Sequence, residues 1–363
     1  MSRDIDVSVI IPVYNGVPFL EKCINSLEKQ NHNFLKIEIL FVDDASEDNS
    51  VEYIKSFKLN NIKIFNSETN KGPSSARNIG IKNALGEFIF FQDVDDFIEN
   101  NALEILHSKA KYYNSEFVFS DHKRIEDLKD QRGNRYDFNE EKIFNKEMIL
   151  QAMKNEYDNP NTGHLGLFGC NGRLIKRSLL IEKNILFDET LKWNEDKTFA
   201  WLVLSHVEKA IYVKNKLYSF YVNPNVQTAS IIGLSSNFSL QSIKSIAKHI
   251  DQSLENKGFN EKERIKLTQK TLIFHAIKVL ISFSIRLFLN KFDFKKGVQL
   301  RKKMIKEIIF DDDIKLAIKN YKPSKNESFF LPKAINYRSV FFLEFFCNLR
   351  AKKIIKMRRS GKV

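Results

Sequence analysis

The first hundred residues alternate two kinds of segment, and this alternation limits the fold more than any other feature of the chain. Val7-Ser8-Val9-Ile10-Ile11 is a β-branched run of the kind found in strands buried on both faces. From Pro18 to Gln30 the apolar residues Phe19, Leu20, Cys23, Ile24 and Leu27 recur at helical spacing. Ile37-Glu38-Ile39-Leu40-Phe41-Val42 predicts a second strand ending at Asp43-Asp44. Ser46 or Asp48 is placed to cap a helix running to about Phe57. Ile62-Lys63-Ile64-Phe65 reads as a third strand, and Lys71-Gly72-Pro73 breaks the chain before a helix from Ser74 to Ala84. Glu87-Phe88-Ile89-Phe90-Phe91 is a fourth strand that runs straight into Gln92-Asp93-Val94-Asp95-Asp96. Such alternation predicts an α/β fold, an open sheet with helices on both faces and ligands outside the carboxyl ends of its strands. Two of those ends carry acidic clusters.

The charge divides the chain. Residues 231–363 hold 29 basic and 11 acidic side chains, whereas residues 1–230 hold 29 and 34. A near-neutral front part and a strongly basic back part predict two modules, 1–232 and 233–363. A basic module can meet anionic lipid, nucleic acid or an acidic protein, and charge alone does not choose. The back part patterns as helical, with Phe238, Leu240, Ile243, Ile246, Ala247 and Ile250 on one face and a long apolar helix from Leu272 to Phe292. His275, Lys278, Arg286 and Lys291 interrupt that apolar stretch, so it is not expected to span a membrane. The apolar run at Val7 is short and broken by Pro12, unlike a signal-peptide core. Cys23, Cys170 and Cys347 are odd in number and far apart, which predicts a reducing, cytoplasmic setting.

Several chemistries are excluded. No G-x-G-x-x-G follows the first strand and no G-x-x-x-x-G-K-[ST] exists, so a Gly-rich phosphate loop is absent. No G-x-S-x-G elbow exists, and no histidine pair has zinc-site spacing. If a nucleotide binds, its diphosphate must be met differently, and a divalent cation held by carboxylates is the substitute. Asp93-Val94-Asp95 offers two carboxylates at a strand end, with Asp96 beside them. Taken alone, the same residues read more readily as an acidic cap on the helix that begins near Asn100.

The context is richer than that motif. Val9-Ile10-Ile11-Pro12-Val13-Tyr14-Asn15-Gly16, Val42-Asp43-Asp44-Ala45-Ser46-Glu47-Asp48, the Asn70–Gly80 segment around Ala76-Arg77-Asn78, and Gly86 through Asp96 come in that order. Downstream lie Cys170-Asn171-Gly172-Arg173-Leu174-Ile175-Lys176-Arg177-Ser178, then Asn194-Glu195-Asp196-Lys197-Thr198-Phe199, then Leu217-Tyr218-Ser219-Phe220-Tyr221. Over about residues 5–232, this set resembles the family 2 glycosyltransferases of the GT-A fold, with its Rossmann-like open mixed sheet.

The resemblance implies an inverting transferase that moves a sugar from a nucleoside-diphosphate donor, UDP-linked by expectation, to a hydroxyl of a cell-surface glycan or lipid-linked acceptor. By the same resemblance, Asp95 would bind Mn²⁺ or Mg²⁺ on the diphosphate, and Asp93 would sit near the ribose or the metal's water shell. Asp196 would be the general base, with Glu195 holding the loop or touching the acceptor. Pro12 and Tyr14 would border the base, Asp44 would accept from its imide N–H, and Arg77 would align Asp44 or the base edge. Cys170, Asn171 and His164 are acceptor candidates. Each has a plainer alternative: Tyr14 packing on the sheet end, Arg77 in a solvated ion pair, Glu195-Asp196 as acids favoured at a helix N-terminus. Relatives often carry an Arg after the closing strand, where this chain reads Val222-Asn223-Pro224-Asn225, so either a base such as Lys71 or Lys214 serves the phosphates or the metal carries more of their charge. The competing reading is a non-catalytic nucleotide-sugar or glycan-binding protein on the same scaffold.

At the far end, Val340-Phe341-Phe342-Leu343-Glu344-Phe345-Phe346 precedes Arg350, Lys352, Lys353, Lys356, Arg358 and Arg359. Aromatics beside cations suit a membrane interface, so the protein is expected at the inner face of the cell membrane. The alternatives are packing on the first module, an oligomer interface, or nucleic-acid binding by the basic tail.

Overall fold

The computed structural model describes residues 5–30, 34–57, 61–126, 129–130, 140–158, 167–221, 239–289, 294–319, 321–323 and 328–359. His164, the Val222–Asn225 stretch and Phe238, named above, lie outside them. The chain forms two compact units, Met1–Met153 with Pro160–Gln227, and Lys154–Asn159 with Thr228–Val363.

The first unit contains a mixed sheet. Its strands are β1 (Val7–Val13), β2 (Ile37–Asp43), β3 (Ile62–Asn66), β4 (Phe88–Phe91), β5 (Phe97–Ile98), β6 (Phe117–Glu126), β7 (Lys129–Asp130), β8 (Lys142–Phe144), β9 (Arg173–Lys176) and β10 (Ala210–Tyr221). They lie in the order β3-β2-β1-β4-β9-β6-β10-β5, with β7 on β6 and β8 on β10. Strands β1 to β4 pair in parallel, as their buried β-branched runs predict, while β9 runs antiparallel between β4 and β6. Helices α1 (Val17–Glu28), α2 (Ser50–Ser56), α3 (Pro73–Asn83), α4 (Ala102–Tyr113), α5 (Lys146–Asp158), α6 (Arg177–Glu182) and α7 (Glu195–His206) connect them.

The pairing register decides where the loops meet. Val13 lies opposite Asp43 and Ile10 opposite Phe91, so β1, β2 and β4 end at one rim. Because β9 is antiparallel to β4, its first residues arrive at that rim, and Asn171 bridges to Phe91. Because β10 is parallel to β6, its Tyr218–Tyr221 end arrives there too. The core beneath is the apolar set the strand pattern predicts, including Val9, Ile11, Ile39, Phe41 and Phe90, all essentially inaccessible.

Asn49 holds the N-cap position of α2 without a side-chain bond, and Asp48 Oδ1 accepts from the Ser50 N–H of its first turn at 3.0 Å. Ser46 does not cap the helix, and both expected caps also tie loops together. Ser46 Oγ accepts from the Asn15 N–H at 2.9 Å, and Asp48 Oδ2 accepts from the Val17 N–H at 3.2 Å. At the opposite end of the sheet, Glu38 is buried and accepts from Ser8 Oγ at 2.5 Å, the Leu85 N–H at 2.7 Å and Lys63 Nζ at 2.8 Å.

The second unit is helical, as its pattern predicts: α8 (Leu240–Asn256), α9 (Glu261–Phe288), α10 (Phe294–Phe310), α11 (Asp312–Lys319), α12 (Phe330–Asn336) and α13 (Val340–Arg359). Ile243, Ile246 and Ile250 of α8 are buried on one stripe. Helix α9 is long and apolar enough to cross a membrane, and 61% of its most apolar stretch is buried inside the protein, as in the core helix of a bundle. Arg301 is buried and donates to Asn348 Oδ1 at 2.7 Å, Glu344 Oε1 at 3.1 Å and Ser284 Oγ at 3.1 Å, while its Nε has no partner among the described residues.

Candidate active site

The rim collects acids from distant parts of the chain. Asp93, Asp95 and Asp96 offer one carboxylate oxygen each within 4.8 Å of one another. Both oxygens of Asp93 are engaged: Oδ1 accepts from Arg77 Nη2 at 2.7 Å and Oδ2 from Asn171 Nδ2 at 2.6 Å. Asp96 is buried, accepting from Tyr218 Oη at 2.7 Å and from the Tyr221 N–H at 3.1 Å. Among the described residues, Asp95 alone of the three has no side chain donating to it.

These acids raise one another. Burial, then the Asp93 charge, pushes Asp95 up to about 6. Burial, then Asp93 and Asp95, pushes Asp96 well above the ordinary carboxylate range. Hard oxygen donors with too little positive charge between them are what a Mg²⁺ or Mn²⁺ ion fits, and Asp95 is the carboxylate open to it.

Arg77 organises the opposite side. It is 4% exposed, so the solvated surface pair is excluded, and it points at Asp93 rather than at Asp44. The reason is its place on α3: Gly72 (φ +94°) and Pro73 start the helix, and the Lys71 and Gly72 N–H groups already occupy Asp44 at 2.9 and 2.6 Å. Arg77 Nη1 lies 3.7 Å from Glu195 Oε1, and its Nε and Nη1 have no hydrogen-bond partner among the described residues. The guanidinium also lies over Phe187, which stacks on Phe199 of α7 at 3.9 Å. The neighbouring Asn78 grips the backbone N–H and carbonyl of Phe187 at 2.8 and 2.9 Å. Thus α3 places the start of α7, and with it Glu195 and Asp196, at the rim.

Glu195 and Asp196 open α7, a position that suits negative charge. Burial, then the Asp196 charge, pushes Glu195 up to about 7. Asp196 Oδ1 accepts from the Lys197 N–H at 2.7 Å. Asp196, Asp93, Glu195 and Arg77 all act on the Cys170 thiol, which places the four groups in one neighbourhood.

Pro12 and the 46%-exposed Tyr14 border the Asp44 side of the rim. Asp44 follows β2 and Asp95 follows β4, two strand spacings apart across β1, or roughly 10 Å. Two acceptor expectations change. Cys170 is 1% exposed with its thiol pushed up by burial, so it underlies the site and does not line it. Asn171 spends its amide on Asp93. Lys214 is also displaced: it sits in β10 seven residues before Tyr221, about 20 Å of strand away from the rim. Lys192 takes that place at the Asp44 end, donating from Nζ to the Lys71 carbonyl at 2.7 Å.

Tyr218 is the functional residue that sequence reasoning missed. Its hydroxyl donates to Asp96 and accepts from the Asp93 N–H at 3.2 Å, clamping the acidic turn from 122 residues away. Gly172 (φ +70°) permits this, since a Cβ there would lie 2.8 Å from the Tyr218 ring.

An α/β sheet whose strand ends gather a D-x-D turn, a buried arginine and an acid pair on a helix start defines a scaffold of the GT-A type. Comparison with known proteins agrees. The family model described as Glycosyl transferase family 2 matches residues 8–174. The glycosyltransferase EpsJ of Bacillus subtilis is 30% identical over 224 residues, covering 61% of this chain and 62% of EpsJ. The minor teichoic acid biosynthesis protein GgaB of the same organism is 28% identical over 332 residues, covering 88% of this chain and 34% of GgaB. The chain thus spans less than two thirds of the length of these relatives. Residues 1–349 of Staphylococcus aureus TarS, solved in complex with UDP, share the fold with a TM-score of 0.65 and 18% identity, covering 98% of this chain and 92% of that one. The chain contains a glycosyl transferase family 2 domain over residues 8–174.

Proposed function

We propose that the protein transfers a sugar, hexosyl or N-acetylhexosaminyl, from a UDP-linked donor to a hydroxyl of a cell-envelope glycan, with inversion at the anomeric carbon. The observation that carries this is the Asp93–Arg77–Glu195 chain of contacts, which joins the D-x-D turn to the helix start bearing Asp196. Two relatives support the substrate class. TarS is called a poly(ribitol-phosphate) beta-N-acetylglucosaminyltransferase and was also solved with UDP-GlcNAc. GgaB is named for teichoic acid biosynthesis.

In this reading Tyr14 stacks on the uracil and Asp44 orients its imide edge. Asp95, with Asp93 beside it, would hold Mn²⁺ or Mg²⁺ against the diphosphate. Bound there, the cation offsets charge on the departing UDP as a Lewis acid. Arg77 orients Asp93 through Nη2, and its Nη1 lies 3.7 Å from Glu195 Oε1. Lys192 and Lys71 add positive charge at the Asp44 end. Asp196 takes the proton of the acceptor hydroxyl as the oxygen attacks the anomeric carbon, on the face opposite the leaving UDP. Glu195, raised to about 7 and so only partly charged near neutral pH, donates or accepts toward the acceptor.

Transfer from UDP-sugars to envelope glycan fragments, read by released UDP, tests this. Asp196→Asn should lower kcat by about 10²–10⁴ while UDP still binds. Asp95→Asn should abolish transfer, as should exhaustive chelation. Full activity of Asp196→Asn, or of the chelated wild type, would overturn the corresponding role. A protein that binds UDP-sugar but neither transfers nor hydrolyses it would be the non-catalytic binder.

A further inference from the structure

The last helix, α13, is apolar on two opposite sides. Leu343, Cys347 and Ala351, spaced i, i+4, i+8, are fully buried. Phe341, Phe345 and Leu349 have the same spacing on the far side and are 72%, 48% and 50% exposed. A helix on the surface of a globular protein ordinarily turns polar residues outward, and this one turns rings. Phe342 lies beside Phe341 at 5.6 Å, and Phe330 of α12 stacks on Phe346 at 4.9 Å, widening the patch. Past Leu349 the same face continues into Lys352, Lys353 and Lys356, all exposed. From Phe341 to Lys356 the face is about 22 Å long, with rings at one end and cations at the other.

We propose that this face docks on a bilayer surface containing anionic phospholipid, with the rings among the headgroups and the three lysines on lipid phosphates. The inference concerns the helical unit alone and does not depend on the donor site. Charge complementarity selects the occupant: residues 231–363 carry 29 basic against 11 acidic side chains, which matches an anionic plane. A second copy of the chain would bring up a unit of the same net positive charge. Single-stranded nucleic acid tracks a groove in which stacking rings and cations alternate. Here the rings of α13 are contiguous and Phe330 and Phe346 cover each other's faces; of the lysines beyond them, Lys352 lies over Phe288 of α9 at 5.3 Å.

The test is co-sedimentation of the full chain with vesicles of phosphatidylcholine, with or without about 30 mol% phosphatidylglycerol, the composition setting the surface charge. Binding is expected to the anionic vesicles only and to weaken with added salt. Lys352→Gln, Lys353→Gln and Lys356→Gln together should weaken it about a hundredfold, roughly fivefold per lysine. Phe341→Ser with Phe345→Ser should also weaken it at unchanged thermal stability, since both sites are exposed. Equal binding to neutral vesicles, or none to anionic ones, would overturn the proposal. So would a dimer dissolved by the Phe341→Ser/Phe345→Ser variant, or lysine-dependent binding of a single-stranded oligonucleotide in place of vesicles.

Discussion

The two units each bury an arginine and surround it differently. Arg301 in the helical unit is answered by Glu344, Asn348 and Ser284, so one cation meets one anion and two neutral acceptors. Arg77 in the sheet unit meets Asp93 and Glu195 with Asp95, Asp96 and Asp196 in the same neighbourhood, and burial together with this excess of acids lifts Asp95 to about 6 and Glu195 to about 7. A balanced cluster serves folding. An unbalanced one costs stability and is retained where a cation or a substrate will complete it. Solvent-facing surface shows the reverse contrast: the rim exposes polar groups around a site, whereas α13 exposes rings.

The comparison breaks first at its arginines. Arg77→Met leaves Asp93 and Glu195 without their cation in a buried setting, so it should cost about 3–5 kcal/mol of stability and all transfer. Chemical unfolding with a parallel UDP-release assay measures both. A loss under about 1 kcal/mol would mean the acids relax without Arg77. Arg301→Met should cost less, about 1–3 kcal/mol, because Glu344 keeps some contact with water. Arg301→Met with Glu344→Leu should regain part of that loss, and transfer should be unaffected in both.

Much of this contrast was legible beforehand. The strands β1 to β4 follow from β-branched runs because parallel pairing buries both faces, and Asp93, Asp95 and Asp196 were singled out by the resemblance of the motifs that hold them. The partners were not legible. Arg77 was expected on Asp44, but Asp44 is taken by the Lys71 and Gly72 amides, a backbone pairing that no side-chain pattern signals. Tyr218 reaches Asp96 across 122 positions, and only the order of β4, β9, β6 and β10 in the sheet brings them together. Gly172, next to Asn171 and able to take φ +70°, was the one local sign of a close approach there. Lys214 was nominated by charge and excluded by strand length.

The finest contrast is in pH dependence and involves two carboxylates. Glu38, although burial opposes it, is held below the usual glutamate range by Lys63 and Ser8. Its stabilising share is therefore complete above the unfolded value, about 4.3, and is lost as pH falls through the folded value. Glu195 is raised, so its share is complete below about 4.3 and is lost as pH rises through about 7. Urea unfolding should show Glu38→Gln destabilised by about 1–2 kcal/mol at pH 7, with the gap closing toward pH 3. Glu195→Gln should be neutral at pH 4 and more stable than the wild type at pH 8. Parallel pH profiles for the two variants would erase the distinction between balanced and unbalanced acids.

Calorimetric titration of UDP with and without Mn²⁺ tests the central claim most directly. The wild type should bind UDP about tenfold or more tightly when Mn²⁺ is present. Asp95→Asn should remove that gain, while Asp196→Asn keeps it. Identical isotherms with and without the ion, or an Asp95→Asn protein indistinguishable from the wild type, would contradict a rim built to hold a nucleotide diphosphate through a cation.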